Sequence, residues 1–569
     1  MRRWLTFSAL LVAACGGGAA NHGSTEPDRD TVVVSVVGTS DLHGRIERVA
    51  VLAGFLTNLR GVREAAGGGV VLVDAGDMFQ GTLESNTVEG ASVVRAYNAV
   101  GYTAAAVGNH EFDFGPEGPA TTPSSPADDP RGALEARARE ARFPILTANI
   151  LDDRTGRRVE WPGLLATTTA RVAGVTVGIV GVSTEETLRT TLAANVADLR
   201  MAPLAHTIVR EAARLRRGGA SVVIVAAHAG GDCQSFDDPE DLGACDPDEE
   251  IFHVAQALPV GAVDVIVAGH THAAVAHFVN GIPVIQSNAL GTHFGRVDVT
   301  VDVRSRAVVS TAIHPPRALC QSAMASLEDC APGRYEGAAV TIDPVVLAAV
   351  QSDLTRAREL AARPVGVRLE TPFPRSGHGE SPLANLITDL QMSARPGADL
   401  ALINGGGIRS SLPAGELTYG QFFEMFPFDN RFALVRVTAG ELAQMFARTL
   451  ATDHGLISPS GIRVVAACEG QQLRVRLLDS RGEEIAPERE LTVVTSDFLA
   501  TGGDEMFTLA LGRGAVQIED GPPMREALLE LLHARGGSLR ADDPATFDRE
   551  HPRVSYPGER PVRCPAPPN

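Results

Sequence analysis

From Thr31 to about Ala312 the chain repeats one pattern, a Val-rich apolar run of strand length followed by a segment able to form a helix. The runs are 31–38, 69–75, 103–107, 174–182, 221–227, 263–268 and 282–286. They are apolar nearly throughout rather than alternating, which predicts strands buried on both faces, and most end in polar residues and glycine. An α/β domain with buried sheets is therefore expected. The stretches 115–131 and 231–249, rich in acidic residues and turn formers, read as surface loops. The pattern is lost over 316–341. Residues 343–363 then read as one amphipathic helix, with Pro344 in its first turn and Pro364 ending it. A second α/β region is expected from about 364 to 545, with strands near 399–403, 432–437 and 491–495, and the Pro- and charge-rich stretch 546–569 is expected on the surface. No internal repeat is present.

Composition sharpens this picture. A chain of 569 residues with 44% hydrophobic content can fill two large cores. A formal charge of -19 leaves no basic face for a nucleic acid polymer, although a single phosphate group can still be held by local cation charge. Arg2 and Arg3 precede an apolar run from Trp4 to Ala14, too short to span a bilayer, which marks residues 1–14 as a secretory signal. Leu11-Val12-Ala13-Ala14-Cys15 resembles a bacterial lipobox. That resemblance implies lipidation of Cys15, a flexible tether over 15–30, and membrane attachment through this anchor alone, on the periplasmic or cell-surface side. Six further cysteines, at 233, 245, 320, 330, 468 and 564, suit disulfides in an exported chain. Fifteen pairings are possible for six cysteines. Proximity along the chain suggests Cys233 with Cys245, Cys320 with Cys330 and Cys468 with Cys564. No CxxC spacing points to a cysteine-based zinc site. No pattern specifies an oligomeric state.

The chemistry gathers at strand ends. The first run leads to Asp41 and His43, the second to Asp77, the third to Asn109 and His110, and later ones to His228 and to His270 and His272. Ligands of open α/β sheets collect beyond the carboxyl ends of the strands, so five strand ends deliver oxygen and imidazole donors to one rim. Each motif alone is weak; their ordered recurrence is not. Two divalent cations roughly 3.5–4 Å apart can clamp the attacking and leaving oxygens of a phosphoryl transfer. A bridging carboxylate is needed, and Asp77 is the natural candidate. Donors without thiolate suit Zn, Mn, Fe or Co. Asn109 adds a neutral oxygen that limits negative charge facing an anionic substrate.

These residues resemble the calcineurin-like metallophosphoesterase pattern. The resemblance implies a four-layer α/β sandwich over 31–315. It implies one metal on Asp41, His43, Asp77 and His272 and another on Asp77, Asn109, His228 and His270, with a bridging hydroxide or water as nucleophile. It also implies that His110 stabilises transferred charge and assists the leaving oxygen, oriented by Asp113. Glu111 reads as a solvated loop acid without a role. His22 falls in the tether, His206 and His253 in helix-like segments, and His277, His293, His378 and His454 in loops, His293 being nearest the site in sequence.

The second region carries three unusual loops: Asn404-Gly405-Gly406-Gly407-Ile408-Arg409, Phe426-Pro427-Phe428-Asp429-Asn430, and Ser496 to Asp504. In a chain with 5% aromatics, two loop phenylalanines suggest a slot for a flat base, with Phe428 and Phe498 on its sides and Asp504 accepting from ribose hydroxyls. These loops resemble the C-terminal substrate-binding domain of bacterial and animal 5'-nucleotidases, which implies such a domain over 364–545, reached through a linker and connecting helix at 316–363. The resemblance implies that Asn404, Arg409, Phe428, Phe498 and Asp504 contact the nucleoside part, and that the second domain rotates about the connector to carry substrate to the metals. Around Arg375 the spacing departs from the family pattern. The expected reaction is hydrolysis of nucleoside 5'-monophosphates to nucleoside and phosphate. Nucleotide sugars, 2',3'-cyclic nucleotides, nucleoside diphosphates and a thiosulfohydrolase-like reaction are alternatives within the class. A non-catalytic nucleoside-binding lipoprotein is the alternative outside it.

Overall fold

A computed structural model describes residues 31–564 except 124, 323–326, 377–378, 453–454 and 520. The signal, Cys15, His22, His378 and His454 lie outside the described residues.

Two sheets face each other in the first domain. One orders its strands Val308–Ala318, His293–Asp302, Thr31–Thr39, Gly69–Asp74, Ala104–Ala106, Ile145–Leu146 and Leu164–Leu165. The other runs Ala274–Val279, Ile282–Ser287, Val265–Ala268, Val222–His228, Val175–Ser183 and Thr167–Val172. The unbroken apolar runs have a simple cause. Along Val222–His228, the side chains of Val222, Ile224 and Ala226 enter the core between the sheets, while Val223, Val225 and Ala227 pack under the outer helices. In Thr31–Thr39, Val34 and Val36 face the other sheet and Val37 faces the helix Ile46–Ala65. The result is a helix–sheet–sheet–helix sandwich. The sheets approach so closely that a Cβ on Gly38 would lie 2.6 Å from Val267.

The second domain is built on the sheet Ile457–Ser460, Leu400–Asn404, Glu490–Ser496, Phe432–Thr438 and Val516–Ile518. Helices Pro382–Ala394 and Met524–Arg535 share one of its cores and Ala439–Leu450 the other. Local signals start these helices. Ser381 caps one with Pro382 in its first turn, and Thr438 with Glu441 forms a capping box.

The connecting helix spans Pro344–Ala361, with the Asp343 carboxylate accepting from the N–H groups of Val345 and Val346. Its Val346, Val350 and Leu354 belong to the core of the first domain, and Asp353 pairs with Arg95 at 2.7 Å. At its far end a Cβ on Gly420 would lie 2.5 Å from the Ala361 side chain, so the second domain abuts the helix terminus.

All three disulfides suggested by proximity are formed: Cys233–Cys245, Cys320–Cys330 and Cys468–Cys564. They fit an oxidising compartment. No helix among the described residues is long and apolar enough to cross a membrane. Three expectations change. The stretch 546–569 is not simply a surface tail, because Val554–Ser555 pairs with Arg463–Glu469, and Val554 and Val562 are buried in a core of the second domain. The region 316–341 holds the end of strand Val308–Ala318 and a small hairpin, Arg334–Tyr335 with Ala338–Ala339. His277 and His293 lie in strands, Ala274–Val279 and His293–Asp302, rather than in loops.

Candidate active site

The rim at the strand ends is buried and crowded. Asp41, His43, Asp77, Asn109 and His228 are at most 2% exposed, while His270 and His272 reach further towards the surface. The donor atoms of Asp41, His43 and His272 lie within 4.8 Å of one another, and so do those of Asp77, His228 and His270. His43 Nε2 faces His272 Nε2 at 2.9 Å. Asn109 Oδ1 sits 3.0 Å from His228 Nε2 and 3.1 Å from His270 Nδ1. One oxygen of Asp77 looks both ways, 3.9 Å from His43 Nε2 and 3.2 Å from His228 Nε2.

The second ring nitrogens define this arrangement. His43 Nδ1 donates to the carbonyl of Gln80 at 2.7 Å and His228 Nδ1 to that of Ala75 at 3.0 Å. Both imidazoles therefore turn Nε2 inward, their tautomer set by a backbone partner. The interior of the cluster then holds more lone pairs than protons, an arrangement that cations resolve. Electrostatics point the same way. Burial pushes Asp41 up to about 6 and drives His43 down to about 3. Burial also opposes charge on His228, but Asp77, Asp41 and Glu111 outweigh it and lift it to about 9, so the acidic groups of the rim favour positive charge at this place. The residues present fit divalent cations.

The turns that hold these groups are strained. Asp41, His43, Asp77, His270 and His272 all have positive φ, between 49° and 90°. Left-handed backbone costs a non-glycine residue about 1 kcal/mol or more, and such outliers cluster at functional sites. Glu111 pins the Asp77 turn. Against the expectation of a solvated acid it is 1% exposed, and its carboxylate accepts from the N–H groups of Asp77, Met78, Phe79 and Gly108. Asp74 acts similarly, accepting from Thr39, Tyr97 and the N–H of Gly76. Sequence reasoning missed both; Asp74 lies three residues before Asp77 and Glu111 two after Asn109, and that nearness to the rim was the available signal.

His110 sits over this rim. Its Nδ1 is 2.6 Å from Asp113, and its N–H donates to Asp77 at 2.9 Å. Burial opposes protonation of the ring, but Asp113 and Asp77 outweigh it and its pKa is raised. His293 is not among the residues lining the cavity beside the rim, and its Nδ1 lies 3.0 Å from Thr292 Oγ1.

That cavity, of about 220 Å³, is shared between the domains, being lined by Asp77, Asn109 and His110 on one side and Asn404, Arg409, Phe428, Phe498 and Asp504 on the other. Asn404 Nδ2 donates to Asp504 at 2.7 Å. The Phe428 ring stacks on His110 with centroids 5.8 Å apart, and the Arg409 guanidinium lies 5.9 Å from the centre of that phenyl ring. Phe498 rests against the second core with its ring over Gly503, where a Cβ would meet it at 2.5 Å. Both phenylalanines are half-buried rather than core residues. Arg375 is exposed and stands behind the cavity, donating to the carbonyl of Arg409 at 3.2 Å. Burial, then Arg375, lowers the pKa of Arg409.

Comparison with known proteins identifies both domains. The calcineurin-like phosphoesterase family model matches residues 34–274, and the 5'-nucleotidase C-terminal domain matches 364–511. Protein UshA of Escherichia coli (strain K12) is 26% identical over 512 residues, 83% of this chain and 86% of that protein. Snake venom 5'-nucleotidase of Naja atra is 25% identical over 541 residues, 84% of this chain and 91% of that protein. The crystal structure of a 5'-nucleotidase precursor from Thermus thermophilus superposes with a TM-score of 0.68 at 21% identity, covering 90% of this chain and all of that one. Fold and site together define a metal-dependent phosphoester hydrolase. The chain belongs to the 5'-nucleotidase family, in which a metallophosphoesterase domain is followed by the 5'-nucleotidase C-terminal domain.

Proposed function

We propose that this protein hydrolyses nucleoside 5'-monophosphates to nucleoside and phosphate at a two-cation centre. The observation that carries the reading is the shared cavity, which sets an acceptor-rich rim opposite two half-buried phenylalanines and a polar pair. Its support from relatives is the similarity to the 5'-nucleotidase of Naja atra.

Asp41, His43, Asp77 and His272 would hold one cation, and Asp77, Asn109, His228 and His270 the other. When bound, the cations would polarise the phosphoryl group and acidify a water to supply the nucleophile. His110, with Asp113 on its Nδ1, presents its Nε2 edge to charge developing on the transferred phosphoryl and leaving oxygens. Arg409, beside Phe428, offers a guanidinium to an anionic group. Phe428 and Phe498 take the base, and Asn404 and Asp504, already bonded to each other, take nucleoside hydroxyls. The paired state of Asn404 and Asp504 preorganises both for that contact. The mature protein is exported and held at the membrane by lipid on Cys15. Mass spectrometry of the purified membrane form checks this, an unmodified Cys15 counting against it.

Phosphate release from AMP, UDP-glucose, 2',3'-cyclic AMP and an aryl phosphate, measured on the soluble form beginning after Cys15, tests the proposal. AMP is expected to be turned over at least about tenfold more efficiently than the other three. A preference for UDP-glucose or the cyclic nucleotide would overturn the substrate reading and leave the phosphoesterase intact.

A further inference from the structure

The short segment after the strand Val175–Ser183 touches three parts of the site in three successive residues. Its anchor is firm: Thr184 caps the turn Glu185–Leu188 and donates its own N–H to the carbonyl of His228 at 2.7 Å. Arg189 then meets the second domain, its carbonyl accepting from Asp504 N–H at 3.4 Å and its guanidinium pairing with Glu505 at 2.8 Å. The carbonyl of Thr190 accepts from Asn109 Nδ2 at 3.4 Å. Thr191 Oγ1 donates to Asp113 Oδ1 at 3.0 Å.

The last contact completes a chain. Asp113 uses Oδ2 for His110 and Oδ1 for Thr191, so both of its oxygens are engaged. Thr191 is 2% exposed, so this hydrogen bond lies in surroundings largely withdrawn from water. With one oxygen held by a neutral donor, the carboxylate is fixed in rotation and presents Oδ2 in the plane that orients the imidazole. Thr191 also lines the shared cavity. We propose that Thr191 is a positioning residue for phosphoryl transfer, fixing Asp113 and through it His110, two residues after the Arg189 contact with the second domain. This rests on the reading of His110 and Asp113 as the pair that serves the transferred phosphoryl group.

Valine replaces threonine with nearly the same shape and no hydroxyl. In the metal-loaded protein, Thr191→Val is expected to lower kcat about tenfold on both AMP and an aryl phosphate, with KM within about twofold. Thr191→Ser should return kcat to within about threefold of the parent. In an Asp113→Ala background, Thr191→Val should change kcat by less than about twofold, because the residue acts through Asp113. Unchanged kcat in Thr191→Val, a full additional loss in the Asp113→Ala background, or no rescue by serine would each overturn the inference. Thermal melting checks that the variants fold, and Thr191→Ala carries the same test if the valine variant does not. His110→Ala separates the two levels. If it keeps parental turnover, the underlying reading fails; if it loses turnover while Thr191→Val does not, this inference alone fails.

Discussion

Asp41, Asp77 and His228 are at most 1% exposed, at the ends of strands packed on both faces, whereas Phe428, Phe498 and Asp504 stand half-exposed on loops of the second domain. The first set is held by the backbone, through strained turns, a glutamate receiving four N–H groups and carbonyls that set histidine tautomers. The second is held by a few side-chain contacts and by what the first domain lends it. Between the domains, Arg45 meets Glu424, Arg189 meets Glu505 and Arg431 donates to Thr122. Under the proposed function this difference has a use, since groups that handle charge in the transition state need tight placement while groups that choose a substrate tolerate looser support.

Four substitutions set this comparison at risk. Asp77→Ala removes the carboxylate that faces both donor clusters and is expected to lower kcat at least about a thousandfold on AMP and aryl phosphate alike. Activity within tenfold on either ester would show that the rim does not act as a unit. His110→Ala should keep the metal content of the parent, measured by elemental analysis, yet lose about a hundredfold in kcat. Loss of metal would move His110 from chemistry to assembly. Phe498→Ala should raise KM for AMP about tenfold and leave the aryl phosphate within twofold. Equal losses on the two substrates would mean that the ring serves only the core beneath it. Glu424→Ala, on an exposed ion pair, should alter KM less than about twofold, since such pairs contribute well under 1 kcal/mol. A larger effect would show the second domain leaning on this contact.

Much of this was legible in the sequence because it is local. Apolar runs such as 221–227 declare a strand buried on both faces, and polar residues at their ends declare a rim. The pairing of Cys468 with Cys564 was what remained once nearer cysteines were matched, and no signal marked the contact itself. What escaped depends on long-range geometry. Glu111 lies 32 to 34 residues from Asp77, Met78 and Phe79, whose N–H groups it receives, and only its nearness to Asn109 hinted at a role. Thr191 meets Asp113 across 78 residues. The end of the chain misled through composition, since its prolines and charges conceal two valines, Val554 and Val562, that reach a core. His277 broke an apolar run that is nonetheless a strand, because its Nε2 finds the carbonyl of Ser235.

The connecting helix changes where the chain can be cut. Val346, Val350 and Leu354 complete the core of the first domain, and Leu319 and Cys320 belong to it as well. A phosphoesterase fragment ended at residue 315, where the repeating pattern stops, would bare that apolar face and forfeit the Cys320–Cys330 link. Extended to Ala361, the same fragment keeps its own lid of helix and becomes the natural unit to express alone, to graft onto another specificity domain, or to exchange between relatives.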